Sequence, residues 1–542
     1  MLKTPNQLAF FDNLSKWQRR AIIFFSGIVA SMALPPADIW PAVFVAFSTL
    51  VILLDAIERR ALSPTKKFKA AFACGWLFGF GYFVVSLYWI GAALLVEADK
   101  FAVLLPLAVA ALPAGIALFW GLATGFAVLA WRPGLSRILV LAVAFTLTEW
   151  LRGWVLTGFP WNTIGYTSAG MGGIDQLASF TGLYGVTFFV LVCAMAPALL
   201  FSRRRNFIMA GFLFASFAAL WIGGNFYKDL NRDNRPAAGP VIRVVQPNID
   251  QRKKWDRAFR QANIEKYFQL SALDPASGSA PGKRFDALIW PESALPLLFD
   301  ESPLLQARVA DILPPDTVLI MGALRRERKV TSGEAQNEFF NSVQAVDSEG
   351  KVVATYDKFH LVPFGEYLPG EEWLTPLGLR KIVAIPGGFT SGPGPQTLKA
   401  GTLPDFSPLV CYEIGFPGQV VDQNNRPGWI VNVTNDGWFG KTAGPYQHLA
   451  QARFRAIEQG LPIVRAANTG ISAVIDPFGK IVDSIQLGTS GIMDVKLPNP
   501  REPTVYTRYG NWAAVAQIVG MLIILSSLST VFGLFGMRGK RQ

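Results

Sequence analysis

Three residues with catalytic side chains each follow a short apolar run that is typical of a buried strand. They are Glu292, Lys358 and Cys411, which come after Ala287–Trp290, Val353–Tyr356 and Pro408–Val410. Open α/β sheets bind their ligands beyond the carboxyl ends of the strands. If these strands are neighbours in one sheet, the three side chains converge in one pocket.

The three side-chain types are suited to covalent acyl transfer. A cysteine thiol is a strong nucleophile, the Glu292 carboxylate can accept its proton, and Lys358 can donate to an oxyanion. The backbone N–H of Tyr412 is a natural second donor to that oxyanion. Each residue alone also has a structural interpretation, because a lone cysteine at a strand end is usually buried and inert. The combination, with each member after a strand, is more specific than any one member.

The composition indicates that part of the chain lies in a membrane. Of 542 residues, 51% are hydrophobic and 16% are charged, whereas about 25% of the residues in a soluble protein are charged. Apolar runs that suit a hydrocarbon core of about 30 Å lie near 21–34, 39–54, 70–96, 101–130, 138–151, 176–201, 207–226 and 512–535. We therefore expect a polytopic α-helical membrane domain with about eight spans. Residues 1–228 hold seven of them, 229–505 form an extramembrane domain, and 506–542 hold the eighth span and a basic tail.

Positive charge alternates along the connections between these runs. The second, fourth and sixth connections are basic, through residues that include Arg59, Arg132 and Arg203, and the odd-numbered connections carry little positive charge. Because Lys and Arg mark the cytoplasmic side, we expect both termini inside the cell and the extramembrane domain outside. The first run resembles a signal peptide, but it lacks an obvious small-x-small cleavage site, and we favour a retained anchor.

The charge and the metal-binding residue types limit the other functions. The net charge is +12, but many basic residues flank apolar runs and form no compact stripe, which argues against nucleic-acid binding. The cysteines Cys74, Cys193 and Cys411 are too few and too dispersed for a disulfide framework or a zinc site. His360 and His448 are the only histidines, which excludes a His-rich metal site. We expect neither a metal nor an organic cofactor.

The sequence pattern of the extramembrane region is typical of a layered domain. Between about Val241 and Pro503, short β-branched runs alternate with polar stretches that are compatible with helices. Strands that are apolar along their whole length indicate a sheet covered on both faces. We predict an α/β or α+β domain, whose strand order stays open at this stage.

Longer motifs around the three residues resemble the nitrilase superfamily. These motifs are Ile289–Ser293, Tyr356–Glu366 and Leu409–Glu413. With seven preceding spans and one following, nearly the whole chain resembles the membrane-integrated apolipoprotein N-acyltransferase family, and Glu149–Gly153, Thr157–Trp161 and Thr434–Gly440 also match that family. The resemblance implies a nitrilase-like α-β-β-α sandwich for the extramembrane domain.

The resemblance also implies a role for each site residue. It makes Glu292 the base, Lys358 the oxyanion stabiliser and Cys411 the nucleophile. Supporting or substrate-binding roles go to Glu366, Tyr412, Glu413, Asn341, Trp438 and Trp373. Trp373 lies in the Gly- and Pro-interrupted segment Tyr367–Gly394, which we interpret as an active-site lid, with an ordinary packed loop as the alternative. Trp438 either packs in the core or lines an acyl cavity.

The implied reaction is the N-acylation of lipoproteins in the bacterial inner membrane. A fatty acyl group passes from a phospholipid of the bilayer, phosphatidylethanolamine by the resemblance, to the cysteine thiol. It then passes to the α-amine of the diacylglyceryl-cysteine that begins an apolipoprotein, in a ping-pong reaction. Two alternatives remain open. A membrane-tethered nitrilase-type amidase would hydrolyse an amide or ester, and a transporter or receptor would carry an inert nitrilase-like domain.

Overall fold

The computed structural model describes residues 14–96, 98–201, 204–231, 239–273, 285–331, 334–374 and 388–538. The chain divides into two compact units. One unit combines Met1–Arg232 with Pro503–Gln542, and the other is Asp233–Glu502. The first unit is helical, and the second is built on two β-sheets.

Long apolar helices dominate the first unit. Its α-helices are Lys16–Ser31, Ala42–Glu58, Pro64–Ser86, Ile90–Val96, Ala98–Phe101, Leu105–Leu129, Leu135–Arg152, Ala178–Ala194, Arg204–Asn231, Val505–Tyr509 and Trp512–Arg538. Within the described residues, four stretches are long and apolar enough to cross a membrane: Pro64–Ser86, Leu105–Leu129, Gly173–Phe201 and Asn206–Asn231. These stretches confirm the predicted helical membrane domain, and the count of eight spans stays a prediction.

A buried ion pair lies at the end of helix Leu135–Arg152, and its arginine contacts the connection that follows. Arg152 Nη2 lies 2.5 Å from Glu149 Oε2, and the indole N–H of Trp120 donates to Glu149 Oε1. Arg152 also donates to the carbonyl oxygens of Phe159 and Trp161. The two charges therefore neutralise each other, which lowers the cost of burying them in a membrane domain, and they hold the Phe159–Trp161 connection in place.

The second unit contains a six-stranded and a five-stranded sheet. The strands are β1 (Val241–Gln246), β2 (Ala287–Trp290), β3 (Val318–Thr331), β4 (Glu334–Val346), β5 (Val352–Asp357), β6 (Phe406–Val410), β7 (Trp429–Thr434), β8 (Ile463–Ala467), β9 (Ser472–Ile475), β10 (Ile481–Ile485) and β11 (Gly491–Lys496). The first sheet has the order β11-β1-β2-β3-β4-β5, and the second has the order β10-β9-β8-β7-β6. The α-helices of this unit are Gln251–Lys254, Arg260–Ser271, Pro303–Ile312, Glu371–Leu374 and Gly444–Gln459.

The two sheets pack face to face, and helices cover their outer faces. Side chains such as Ile289 of β2 and Val431 of β7 share one buried core between the sheets. Helices Arg260–Ser271 and Pro303–Ile312 cover the other face of the six-stranded sheet, and Gly444–Gln459 covers the five-stranded sheet. This arrangement confirms the predicted α-β-β-α sandwich, and it explains why the strands are apolar on both faces.

The strands that end before Glu292, Lys358 and Cys411 belong to two sheets, so they are not all neighbours in one sheet. β2 is parallel to β3, β3 and β5 are both antiparallel to β4, and β6 lies in the five-stranded sheet. β2 and β5 therefore run in the same direction, and their carboxyl ends share one edge of the first sheet. Facing sheets, rather than adjacent strands, bring the end of β6 to the same place.

Candidate active site

Glu292 is fixed by close contacts to its backbone. It follows β2, and its side chain is buried. A Cβ at Gly322 of β3 would lie 2.4 Å from the Cα of Glu292, so only glycine leaves room at that position. On another side, Lys254 Nζ donates to the Glu292 carbonyl oxygen over 2.9 Å. The backbone of Glu292 is therefore held by a strand on one side and by a buried lysine on another.

A chain of hydrogen bonds runs from Glu292 to Lys358. Asn341 Nδ2 donates both to Glu292 Oε1 (2.9 Å) and to Glu366 Oε1 (2.8 Å). Lys358 Nζ lies 3.0 Å and 2.8 Å from the two carboxylate oxygens of Glu366. All four side chains are buried. Asn341 and Glu366 therefore connect the two charged residues at the ends of β2 and β5.

The surroundings of Lys358 and Cys411 raise the pKa of both groups, for different reasons. Burial opposes the charge on Lys358, but the carboxylates of Glu366 and Glu292 outweigh burial and raise its pKa well above the ordinary value. Burial raises the pKa of the Cys411 thiol, and Glu292 raises it further, while Lys358 lowers it. Lys358 is therefore a stable cation, and the thiol holds its proton until a base takes it.

Cys411 adopts a strained backbone conformation directly after β6. Its φ is +52°, a region that residues other than glycine rarely occupy. Cys411 begins the 3₁₀-helix Cys411–Gly415, and its carbonyl oxygen lies 3.1 Å from His448 Nε2. His448 Nδ1 lies 2.9 Å from Asp436 Oδ1, and Arg465 Nη2 donates to Asp436 Oδ2 over 2.7 Å. This fully buried network supports the turn that presents the thiol.

Glu413 links the ends of β5 and β6. Its Oε1 accepts from Tyr356 Oη (2.8 Å) and from the backbone N–H groups of Phe359 (2.9 Å) and His360 (3.2 Å). Its Oε2 accepts from the N–H of Val410 over 2.7 Å. Burial raises the pKa of Glu413 to about 7, and these hydrogen bonds oppose the shift. The segment that carries Lys358 is thereby tied to the segment that carries Cys411.

The aromatic residues predicted for the site lie in different surroundings. Tyr412 is buried and packs edge-on against Phe416, with ring centroids 4.8 Å apart. Trp438 is half-buried in the 3₁₀-helix Asp436–Phe439. Trp373 is 80% exposed and does not belong to the hydrogen-bonded cluster. Residues 375–387 of the predicted lid lie outside the described residues.

Four buried residues of the site were not predicted from the sequence: Lys254, Asp436, His448 and Arg465. Two of them carry a signal that was available. Arg465 interrupts the apolar run of β8, and Asp436 closely follows the end of β7, as the catalytic residues follow their strands. Lys254 has no comparable signal, because it follows two exposed basic residues in a polar stretch.

Comparison with known proteins covers both units. Residues 26–196 match the family model of the apolipoprotein N-acyltransferase N-terminal domain, and residues 241–502 match that of carbon-nitrogen hydrolase. The apolipoprotein N-acyltransferase of Rhodopseudomonas palustris is 42% identical over 515 residues, which cover 94% of this chain and 95% of that protein. The apolipoprotein N-acyltransferase of Brucella suis biovar 1 is 43% identical over 528 residues, covering 96% of each chain. The match therefore extends over nearly the full length of both proteins.

Proposed function

Since this chain belongs to the apolipoprotein N-acyltransferase family, we propose that Cys411 carries a fatty acyl group from a phospholipid to a lipoprotein's N-terminal α-amine. The family membership confirms the resemblance that the sequence motifs indicated, and with it lipoprotein N-acylation as the activity. It also sets aside the amidase and the inert-domain alternatives, because the relatives match the membrane domain as well as the hydrolase-like domain.

The single observation that carries the catalytic assignment is the buried cluster at the strand ends. Two carboxylates, an amide and an ammonium form one hydrogen-bonded chain from Glu292 to Lys358. The charges of Glu292 and Lys358 both act on the Cys411 thiol. A base, a nucleophile and an oxyanion donor in one buried place are the components that acyl transfer requires.

In the first half-reaction, the sulfur of Cys411 attacks the carbonyl carbon of a phospholipid ester. The thiol proton passes to Glu292 as the carbon–sulfur bond forms. Lys358 and the N–H of Tyr412 donate to the oxyanion, and one such donor is typically worth about 10²–10³ in rate. The carbon–oxygen bond then breaks, the departing lysophospholipid oxygen takes the proton from Glu292, and a thioester remains on Cys411.

In the second half-reaction, the α-amine of the diacylglyceryl-cysteine attacks the thioester carbon. Glu292 accepts a proton from the attacking nitrogen, and Lys358 again stabilises the oxyanion. The carbon–sulfur bond breaks, and the sulfur recovers its proton from Glu292. The products are an amide on the lipoprotein and the free thiol, so the protein returns to its starting state.

We further assign phosphatidylethanolamine as the acyl donor and the bacterial inner membrane as the location, with the catalytic domain on the periplasmic side. The donor rests on the family resemblance. The orientation rests on the alternating basic connections, since positive charge marks the cytoplasmic side. A membrane location suits the chemistry, because both substrates are held in a bilayer by acyl chains.

Intact-protein mass spectrometry tests the thioester. After incubation with phospholipid vesicles and no acceptor, we expect one added fatty acyl mass on Cys411, released by neutral hydroxylamine. The adduct should disappear when a diacylglyceryl peptide is supplied, because the amine completes the second half-reaction.

Substitutions at the three cysteines provide the matched controls. Cys74→Ala and Cys193→Ala should acquire the adduct normally, whereas Cys411→Ala should not acquire it. Cys411→Ser should be largely inactive, since a serine hydroxyl is much harder to ionise than a thiol. Acylation of Cys411→Ala, or full turnover by that variant, would exclude the proposed mechanism.

A further inference from the structure

A second buried lysine lies beside the proposed base. Lys254 ends the short helix Gln251–Lys254, and its side chain is only 2% exposed, whereas the preceding Arg252 and Lys253 are exposed. Its ammonium donates to the carbonyl oxygen of Glu292 over 2.9 Å, across 38 positions of sequence. A lysine is rarely buried without a strong local reason, and the mechanism so far gives Lys254 no task.

The charges around Lys254 are those of the reaction centre. Glu292 and Cys411 both favour its charged form, and burial opposes that form more strongly, so its pKa falls to about 8. Lys358, the other ammonium of the site, is held by Glu366 at the opposite end of the hydrogen-bonded chain. The site therefore holds two buried cations that differ in kind. Lys358 is a permanent cation, and Lys254 loses its charge in mildly alkaline solution.

The backbone around Glu292 shows why such a support is needed. Ser293, the next residue, has a φ of +47°, which non-glycine residues seldom adopt. The N–H of Ala294 donates to the carbonyl of Gly322, which anchors the far side of this turn. Lys254 anchors the near side through the Glu292 carbonyl oxygen. A charged ammonium makes a stronger hydrogen bond to this carbonyl oxygen than a neutral amine would, and a side chain without a donor at position 254 would make none.

We propose that Lys254 is a positioning residue for the proposed base, which holds the backbone of Glu292 so that its carboxylate is placed to receive the Cys411 proton. The inference rests on the proposed function, because it assigns to Lys254 a task in the acylation step. It gives the site a second cation besides Lys358, one that contacts the backbone of Glu292. Both half-reactions use Glu292, so both depend on Lys254.

The experiment measures the rate of Cys411 acylation by phospholipid vesicles as a function of pH, by intact-protein mass spectrometry. The variants are Lys254→Met, Lys254→Arg and, as the matched control, Lys253→Met, which removes the same charge from an exposed position of the same helix. Wild-type protein is measured first. If the proposed function is wrong, wild-type Cys411 acquires no acyl group, and this outcome is distinct from a failure of the Lys254 proposal.

We expect Lys254→Met to lose roughly 10²-fold in acylation rate, the scale for a misplaced catalytic group, while Lys253→Met keeps the wild-type rate. The wild-type rate should fall as the pH rises through about 8, because Lys254 then loses its charge. In Lys254→Arg, which keeps the charge, activity should be partly restored and that fall should move to higher pH.

Lys254→Met loses a desolvated charge and also a hydrogen bond to the buried Glu292 carbonyl oxygen, and these losses act on stability in opposite directions. Acylation rates are therefore compared below the melting temperature of every variant, and the pH profile separates positioning from a purely structural role. Wild-type acylation rates in a folded Lys254→Met protein would overturn the proposal. If Lys254→Met does not fold, the comparison of Lys254→Arg with wild type decides. The proposal would be overturned if the acylation rates of both proteins fell at the same alkaline pH.

Discussion

The three buried carboxylates of the site accept different numbers of hydrogen bonds, and this difference distinguishes their tasks. Glu413 accepts four hydrogen bonds through its two oxygens. Glu366 accepts from Asn341 and Lys358 and from the N–H of Val362. Glu292 differs, because its buried Oε2 has no hydrogen-bond partner among the described residues. An oxygen without a donor leaves room for the thiol proton, which supports Glu292 as the base.

The raised pKa of Glu413 predicts how the stability of the folded protein depends on pH. Its pKa is about 7 in the folded protein, against an ordinary value of 4.5. Between these values the folded protein retains a proton that the unfolded chain has released. The stabilisation from protonated Glu413 is therefore complete below about pH 4.5 and is lost as the pH rises through about 7.

We expect wild type to lose stability relative to Glu413→Gln across this window. The limiting slope is about 1.4 kcal/mol per pH unit, the value for one proton. Denaturant unfolding in detergent micelles, followed by tryptophan fluorescence at several pH values, measures the difference. Stability curves that stay parallel for the two proteins would show that Glu413 does not titrate in this window.

At the scale of elements, the site depends on how closely strand β3 approaches the turn that follows β2. Gly322 of β3 makes that approach possible, since an added Cβ would lie 2.4 Å from the Cα of Glu292 and 2.8 Å from the carbonyl oxygen of Pro291. Both neighbours are backbone atoms, so neither can rotate away as a side chain would. A methyl group at position 322 must therefore displace the proposed base.

We predict that Gly322→Ala loses roughly 10²-fold in the rate of Cys411 acylation, the scale for a catalytic group displaced by about 1 Å. The matched control is Gly491→Ala at the start of β11, where the nearest atom to an added Cβ is a side-chain carbon of Ile485 at 3.8 Å. That variant should react at the wild-type rate. A wild-type rate of Cys411 acylation in Gly322→Ala would contradict the prediction, because the turn that carries Glu292 would then tolerate the added methyl group.

The elements also show which parts of the site could be predicted from the sequence. The runs before Glu292, Lys358 and Cys411 are apolar and short, and these local properties identified them as strands that end at reactive side chains. Strand pairing was not predictable in this way. Whether β6 joins the sheet of β2 and β5 or faces it depends on contacts between distant segments, which periodicity does not record.

Lys254 illustrates the same limit for single residues. Its local sequence is that of a solvated basic stretch, and the contact that buries it reaches Glu292, 38 positions away. Arg465 was more accessible to prediction, because a charged residue within an apolar strand requires a buried partner. That partner, Asp436, is 29 positions away. Motif resemblance named the proposed catalytic residues and buried supporting residues such as Asn341, Glu366 and Glu413, but it did not name Lys254 or Arg465.

At the scale of the whole molecule, composition separates a membrane domain from a catalytic domain. The first unit has helices that are long and apolar enough to span a bilayer, while the second buries its apolar residues between sheets and helices. Both substrates of the family reaction carry acyl chains. A catalytic domain joined to a membrane domain can therefore work on reactants that stay in the bilayer.

The orientation of the chain is the last prediction, and it follows from the distribution of basic residues. Arg59, Arg60 and Lys66 lie in the second connection, which the charge pattern places in the cytoplasm. Lys351 lies in the catalytic domain, with a side chain that is 73% exposed. In a protein without native cysteines, we expect a membrane-impermeant maleimide added to spheroplasts to label Lys351→Cys. The same reagent should label Lys66→Cys, which is also exposed, only after the membrane is permeabilised, because a charged reagent does not cross the intact bilayer. Labelling in the opposite pattern would place the catalytic domain in the cytoplasm, on the wrong side of the membrane for the proposed reaction.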